Sequence, residues 1–208
     1  MDTQKAYDHW AETYDVVINK TRDLEGIALR EMLSKIEFES VLEIGCGTGK
    51  NTEWLVNQAS NILSIDLSEE MLAKAKKKIT SENVAFGQAN ITENWSFTEN
   101  RQFDLICFSL VLEHIENLVP IFEKAEKFLK TGGHLYIGEL HPFKQYNGTK
   151  ARFETESGTQ IVDCYNHHIS DFVQPALKYG LTLVELSEQF DQNDKTEFPR
   201  ILTLLFKK

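Results

Sequence analysis

Two carboxylates and three glycines near the front of the chain have the residue types and spacing of a nucleoside site. Glu43-Ile44-Gly45-Cys46-Gly47-Thr48-Gly49 is a glycine-rich turn behind a short apolar run, Val41, Leu42 and Ile44. Glycine lets a backbone turn sharply and lets a ligand approach with no Cβ in the way. Asp66 ends the next apolar run and lies 17 residues beyond Gly49, where a second parallel strand should finish beside the first. A carboxylate there can accept both hydroxyls of a ribose, as acidic residues do in dinucleotide sites. The glycine spacing argues against NAD, whose fingerprint is G-x-G-x-x-G. Here Gly49 comes one residue early and Lys50 takes the fingerprint position. Glu43 would repel a pyrophosphate, yet it suits a cationic ligand.

These residues need a sheet to bring them together, and the chain supplies one. Apolar runs at 41–45, 61–66, 83–87, 103–109 and 134–139 read as strands, with helical patterns near 49–58, 68–79 and 118–130 between them. Repeated β-α-β units predict a parallel sheet with helices on both faces. Ser68 followed by Glu69 and Glu70 marks a helix start, with a cap and two carboxylates favoured by the dipole. Pro120 fits a first helical turn, and Gly132-Gly133 is expected to end that helix. Residues 181–186 and 201–206 are two strands with no helix between them, which predicts an antiparallel hairpin at one side of the sheet. The fold class is therefore α/β, a Rossmann-like doubly wound sheet of about seven strands, mostly parallel, with an antiparallel last strand. Pro175 sits inside a predicted helix at 170–179 and implies a later start or a kink.

The 208 residues read as a single domain, 1–208, with two additions to the minimal α/β unit. Residues 1–38 form a helical N-terminal lid carrying Tyr7, Trp10 and Tyr14. Residues 140–168 form a substrate-side insertion containing His141, Tyr146, His167 and His168. Both should hang over the carboxyl ends of the strands, where open parallel sheets bind ligands. The formal net charge of −10 disfavours phosphate backbones, so no nucleic-acid partner is expected. No apolar run approaches the roughly 20 residues of a membrane span. Neither a secretory signal nor a C-x-x-C pair is visible, which predicts a reduced, cytoplasmic setting. A monomer or homodimer is expected.

The E-x-G-x-G-x-G turn with an acidic residue ending the next strand resembles motif I and its follower in class I S-adenosylmethionine-dependent methyltransferases. Phe103–His114 (FDLICFSLVLEH) and Leu129–Leu135 (LKTGGHL) resemble the fourth-strand motif and the following turn of the group containing ubiquinone- and menaquinone-biosynthesis methyltransferases. S-adenosylmethionine carries an ammonium and a sulfonium and no phosphate, in keeping with the acidic turn. The resemblance implies that cofactor and a fold with an inserted antiparallel last strand. It also implies cofactor contacts from Glu43, Gly45, Cys46, Gly47, Gly49, Asp66, Leu67, Met71, Asn90, Ile91, Ser109 and Leu110. Glu43 would orient the loop or meet the ammonium. Asp66 would hold the ribose, and Leu67 and Met71 would pack on adenine, although Met71 reads equally well as a core residue. Asn90 stands where the family usually places an aspartate.

Tyr14, Arg22, Tyr146 and His167 are lid or substrate-loop candidates, and His114 and His141 are candidate general bases. The three cysteines and the late histidines make no recognised ligand motif, so no metal is expected. The segment after the fourth strand lacks the Asn/Asp-Pro-Pro-aromatic signature of amino-methylating nucleic-acid enzymes, and no Pro-Cys pair exists to attack a pyrimidine. The resemblance then implies methyl transfer to a small-molecule acceptor. A non-catalytic cofactor-binding accessory protein and, further off, an NAD-dependent oxidoreductase are the alternatives. The sequence does not specify whether O, N, C or S is methylated.

Overall fold

The computed structural model describes residues 2–155 and 158–208; Met1, Glu156 and Ser157 of the expected lid and insertion fall outside the described residues. In chain order the elements are α1 (Thr3–Trp10), α2 (Lys20–Leu33), β1 (Ser40–Ile44), α3 (Thr52–Leu55), β2 (Asn61–Asp66), α4 (Glu69–Lys78) and β3 (Val84–Gln88). Then come β4 (Phe103–Ser109), α5 (Val119–Phe128), β5 (Leu129–Leu140), α6 (Pro142–Tyr146), β6 (Arg152–Thr155), β7 (Gly158–Ile161), α7 (Ile169–Lys178), β8 (Thr182–Gln189) and β9 (Ile201–Lys207). The main sheet has seven strands in the order β3-β2-β1-β4-β5-β9-β8. β9 runs antiparallel to both its neighbours, and the other pairings are parallel.

Both faces of the central strands are apolar, as a parallel sheet covered by helices requires. Side chains alternate across the sheet, so neighbours in sequence enter different cores. Leu42, Ile106 and Phe108 pack with Phe122 and Phe172 from α5 and α7. Val41, Leu105 and Tyr136 pack with Leu29 and Leu33 from α2. The order β2-β1-β4 is what builds the site. The chain first winds outward from β1 to β3, then crosses back to β4 on the other side of β1. A crevice opens at the carboxyl ends of strands where the order reverses, which puts the turn after Ile44, the end of β2 and the end of β4 side by side.

Three expectations need adjusting. The helix expected near 49–58 is only the turn Thr52–Leu55, continued by i→i+3 bonds from Asn57 N to Trp54 O and Gln58 N to Leu55 O. The Gly132-Gly133 pair does not end a helix. α5 stops at Phe128 and Leu129 pairs at once with Phe103, so the pair forms a bulge inside β5 before Leu105 meets His134. Gly132 adopts φ +84°, and a Cβ on Gly133 would stand 2.9 Å from Lys130 O and 3.0 Å from Asp104 O. Pro175 lies within α7, which begins at Ile169.

The segments outside the sheet are pinned to it. α1 begins on Asp2, whose side chain accepts from Lys5 N at 3.2 Å. Its Trp10 stacks on Phe153 of the β6–β7 hairpin with ring centroids 5.2 Å apart. Asp15, just beyond α1, accepts from Thr48 Oγ1 at 2.6 Å and from Lys78 Nζ at 2.9 Å. No helix among the described residues is long and apolar enough to cross a membrane.

Candidate functional site

The glycine turn is built by hydrogen bonds from its own backbone to the neighbouring strand. Gly45 N and Cys46 N both donate to Ile65 O, at 2.8 and 3.0 Å. Gly47 N donates to one oxygen of Asp66 at 2.8 Å, and Ser68 N donates to the other at 2.8 Å. Asp66 thus ties the turn to the start of α4. Burial raises its carboxyl above the usual range. Gly45 has φ +72°, and a Cβ there would lie 2.1 Å from Val111 Cγ2. Gly47 has φ +55°, and a Cβ there would meet nothing within 4 Å, so this glycine faces open space. Gly49 instead packs on Ala75 and Ile79.

That space is a cavity of about 260 Å³ lined by Tyr7, Tyr14, Asp66, Leu67, Asn90 and His114 among others. Gly45, Gly47, Ile91, Ser109 and Leu110 also line it. Asn90 Oδ1 accepts from Thr92 N at 3.0 Å and from Thr92 Oγ1 at 2.8 Å, leaving its amide nitrogen without a bond in this turn. Leu110, just beyond β4, has φ +57°, a strained value for a non-glycine residue. It is held there by Leu110 N donating to Gly138 O at 2.8 Å. Glu139 steadies the next turn, accepting from Val111 N at 2.9 Å and Leu112 N at 2.8 Å. Burial, with the Glu113 carboxylate nearby, pushes the Glu139 carboxyl up to about 8.

A smaller cavity of about 40 Å³ shares Tyr14, Gly45, Gly47, Ser109 and Leu110 with the first. Its walls carry both signs of charge. Arg22 donates through Nη2 to Val17 O at 2.9 Å and through Nη1 to Tyr14 O, and its guanidinium lies 4.8 Å over the Tyr14 ring. Desolvation of Tyr14 pushes that phenol up to about 12. Glu43 is buried and accepts from Thr52 Oγ1 at 2.5 Å and Ser64 Oγ at 2.6 Å; burial pushes it up to about 7. Glu25, on α2, accepts from Asn51 Nδ2 at 3.1 Å and Tyr136 Oη at 3.0 Å and is likewise pushed up to about 7 by burial. Among the described residues, Arg22 Nε and Asn51 Oδ1 are buried without a hydrogen-bond partner, although Asp23 Oδ1 lies 3.6 Å from Arg22 Nε. Buried polar groups without partners are costly, and an amino-acid end would complete them. A carboxylate fits the Arg22 guanidinium, and an ammonium fits Asn51 Oδ1 beside the two carboxyls.

The remaining residues fall on either side of this boundary. Cys46 is buried and lines the smaller cavity, its thiol pushed far up by desolvation. Met71 is fully buried among Ala6, Trp10 and Ala11 under α1, away from the cavity walls. His141 is also fully buried. Its Nδ1 caps α6 by accepting from Phe143 N at 3.2 Å, and its Nε2 meets Glu188 at 2.9 Å. His167 Nε2 bridges Leu112 O at 3.2 Å and Ile115 O at 2.8 Å, so it braces the segment beside His114 from behind. Tyr146 Oη contacts His168 Nδ1 at 2.6 Å on the exposed surface. Neither His141 nor Tyr146 lines the crevice.

His114 does. Its Nδ1 lies 2.9 Å from Asp163 O and its Nε2 lies 2.9 Å from Tyr7 Oη. A carbonyl can only accept, so Nδ1 carries a proton, and in the neutral ring the Nε2 lone pair receives the Tyr7 hydroxyl. The main-chain carbonyl thus orients the ring and leaves Nε2 toward Tyr7. Glu113, His114 and Cys164 place ligand atoms within 4.8 Å of one another. His114 Nδ1, 3.8 Å from Cys164 Sγ, is engaged with Asp163 O, while Nε2, 3.9 Å from Glu113 Oε1, is engaged with Tyr7 Oη. Tyr7, Glu25 and Asn51 are among the crevice residues that motif reading overlooked. The Tyr7, Trp10, Tyr14 spacing, one face of a helical turn continued, was the only signal for the first.

Residues 42–137 match the methyltransferase domain family. The chain is 34% identical over 180 residues to malonyl-[acyl-carrier protein] O-methyltransferase 2 of Ilyobacter polytropus, covering 81% of this chain and 61% of that one. It is 27% identical over 148 residues to the ubiquinone biosynthesis O-methyltransferase of Hydrogenovibrio crunogenus, covering 70% of this chain and 61% of the other. The chain thus spans about three fifths of the length of these curated relatives. Among solved structures, a Listeria monocytogenes protein assigned as an S-adenosylmethionine dependent methyltransferase superposes with a TM-score of 0.74 at 25% identity, over 89% of this chain and 98% of its own. N-methyltransferase NodS of Bradyrhizobium japonicum gives a TM-score of 0.74 at 19% identity over 100% and 99% of the two chains. Residues 42–137 thus match a methyltransferase domain, within a fold similar to that of solved S-adenosylmethionine-dependent methyltransferases.

Proposed function

We propose that this protein transfers a methyl group from S-adenosylmethionine to a small-molecule acceptor. The observation that carries the reading is the pair of joined cavities around Asp66 and Gly47, one sized for a nucleoside and one charged for an amino acid. The family relatives are named as O-methyltransferases, and NodS was crystallised with S-adenosyl-L-homocysteine, which supports the same choice. Asp66 would take the ribose hydroxyls, Leu67 and Ile91 the adenine faces, and Arg22 with Glu25 and Asn51 the amino-acid end. When bound, the cofactor supplies a methyl group that its sulfonium already activates. The chain then has to orient, shield and deprotonate. Holding two reactants in line can lower a barrier by roughly 7–11 kcal/mol. His114 accepts the acceptor's proton at Nε2 after the Tyr7 hydroxyl gives way, a role worth a factor of about 10²–10⁴.

Residues 1–38 act as a lid in this reading, because Tyr7 and Tyr14 close the cavity from above. Three free cysteines and the acidic composition support a cytoplasmic setting. Calorimetry with S-adenosylhomocysteine and with NAD tests the cofactor, and preference for NAD refutes the proposal. Methyl transfer is tested by mass spectrometry of products formed from isotopically labelled cofactor.

A further inference from the structure

Two cavities meet at His114, and a third opens from the second. The crevice shares Thr92, His114 and Ile115 with a second cavity of about 350 Å³ that reaches Glu116, Asn117 and Tyr165. Those last three residues also line a third cavity of about 530 Å³, which extends to Asp171 on α7. A groove therefore leads from the surface to the imidazole that faces the crevice. Its charge has one sign. Asp2, Asp66, Glu116 and Asp171 line the three cavities, and no lysine or arginine does among the described residues. The Lys124 ammonium, which stands close by, is bound to the carbonyls of Ile91, Thr92 and Glu93 at 2.6, 3.1 and 2.8 Å. Tyr165 is 40% exposed and lines both outer cavities, and an aromatic ring so placed attracts a cation. The carboxylates that line the groove disfavour an anion there.

We infer that the acceptor is an organic amine, which travels this groove as its ammonium and is methylated at nitrogen. The inference rests on the reading above that the crevice holds S-adenosylmethionine. It sets the acceptor apart from the oxygen acceptors for which the curated relatives are named. The chemistry closes as follows. The ammonium loses a proton to His114 Nε2, and the freed nitrogen lone pair forms the new N–C bond. The old methyl C–S bond breaks with its electron pair remaining on sulfur, which leaves S-adenosylhomocysteine. The methylated amine departs as an ammonium, and His114 returns its proton to water. One proton is released per turnover.

The full chain is incubated with trideuteromethyl S-adenosylmethionine and a bacterial metabolite extract. The mixture is then fractionated on cation and anion exchangers and read by mass spectrometry. Deuteromethylated products retained by the cation exchanger are expected. Label confined to neutral or anion-exchanger fractions overturns the amine assignment while leaving methyl transfer standing. Absence of label in every fraction, together with no binding of S-adenosylhomocysteine, overturns the cofactor reading itself and the amine assignment with it. On the identified acceptor, Glu116→Gln is expected to raise KM by about three- to fivefold at unchanged kcat, as loss of an exposed ion pair would. Added salt should raise the parent's KM in the same way. A KM indifferent to both overturns the proposal.

Discussion

Replacing Asp66 by asparagine separates the two tasks that its carboxylate performs. Each oxygen already accepts one backbone N–H, from Gly47 and Ser68, both at 2.8 Å. A carboxylate oxygen has two lone pairs, so each keeps one for a ribose hydroxyl. In Asp66→Asn one oxygen becomes an NH₂ group, which faces either Gly47 N–H or Ser68 N–H and cannot accept a hydroxyl. A hydrogen bond to a charged group contributes about 1.5–3 kcal/mol. The variant should therefore lose about 2 kcal/mol of ligand affinity, close to thirtyfold in Kd. Asp66→Ala loses both acceptors, and the expected drop is a few hundredfold, from about 3–4 kcal/mol. Titration calorimetry with S-adenosylhomocysteine reads the change, and thermal melts without ligand report how much the turn itself loosens. If the asparagine variant stays folded and binds within a factor of about two of the parent, the assignment of Asp66 to the sugar is wrong.

Three further outcomes are expected. His114→Gln should lower kcat by about 10²–10⁴, and Tyr7→Phe by about three- to tenfold, with S-adenosylhomocysteine affinity within twofold of the parent in both; equal kcat in all three proteins removes the relay from the mechanism. Gly45→Ala forces a Cβ into φ +72° at 2.1 Å from Val111 Cγ2, and urea unfolding should show a loss of about 3 kcal/mol, partly restored by adding Val111→Ala. Lack of rescue would mean that the contact is not the cause.

Stability should also fall as pH rises. Burial raises Glu25 and Glu43 to about 7 and Glu139 to about 8, all from 4.5. A carboxyl raised on folding binds its proton more tightly in the native state. Its contribution is therefore fully present below about pH 4.5 and is lost as pH climbs through about 7–8. Glu139→Gln keeps an acceptor for Val111 N and Leu112 N but cannot ionise. Its Tm should decline less steeply between about pH 5 and 8, and an identical slope would refute the attribution.

The parts of this molecule that depend on nearest neighbours in sequence were legible before any coordinates. Val41–Ile44, Asn61–Asp66 and Phe103–Ser109 are short apolar runs that can be buried on both sides, and the turn after Ile44 has a chemistry of its own. Pairing across the sheet was less visible. Gly132-Gly133 looks like a helix end, because nothing local shows that Leu129 is already bonded to Phe103. His141 and His167 look like site residues by type, and only the fold shows that one caps a helix and the other bridges two carbonyls. Tyr7 and Glu25 reach the crevice from helices that precede the sheet. No spacing rule connects Tyr7 with His114, 107 residues later.

The stacking of Trp10 on Phe153 ties the roof of the crevice to a hairpin far along the chain. Tyr7 sits one helical turn from that stack and touches the imidazole. Alterations in the hairpin, which adds no strand to the seven-stranded sheet, would thus be felt as a shift in the Tyr7–His114 pair. Changes confined to that hairpin have a route to the surroundings of His114, with the Asp66 end of the crevice left as it was.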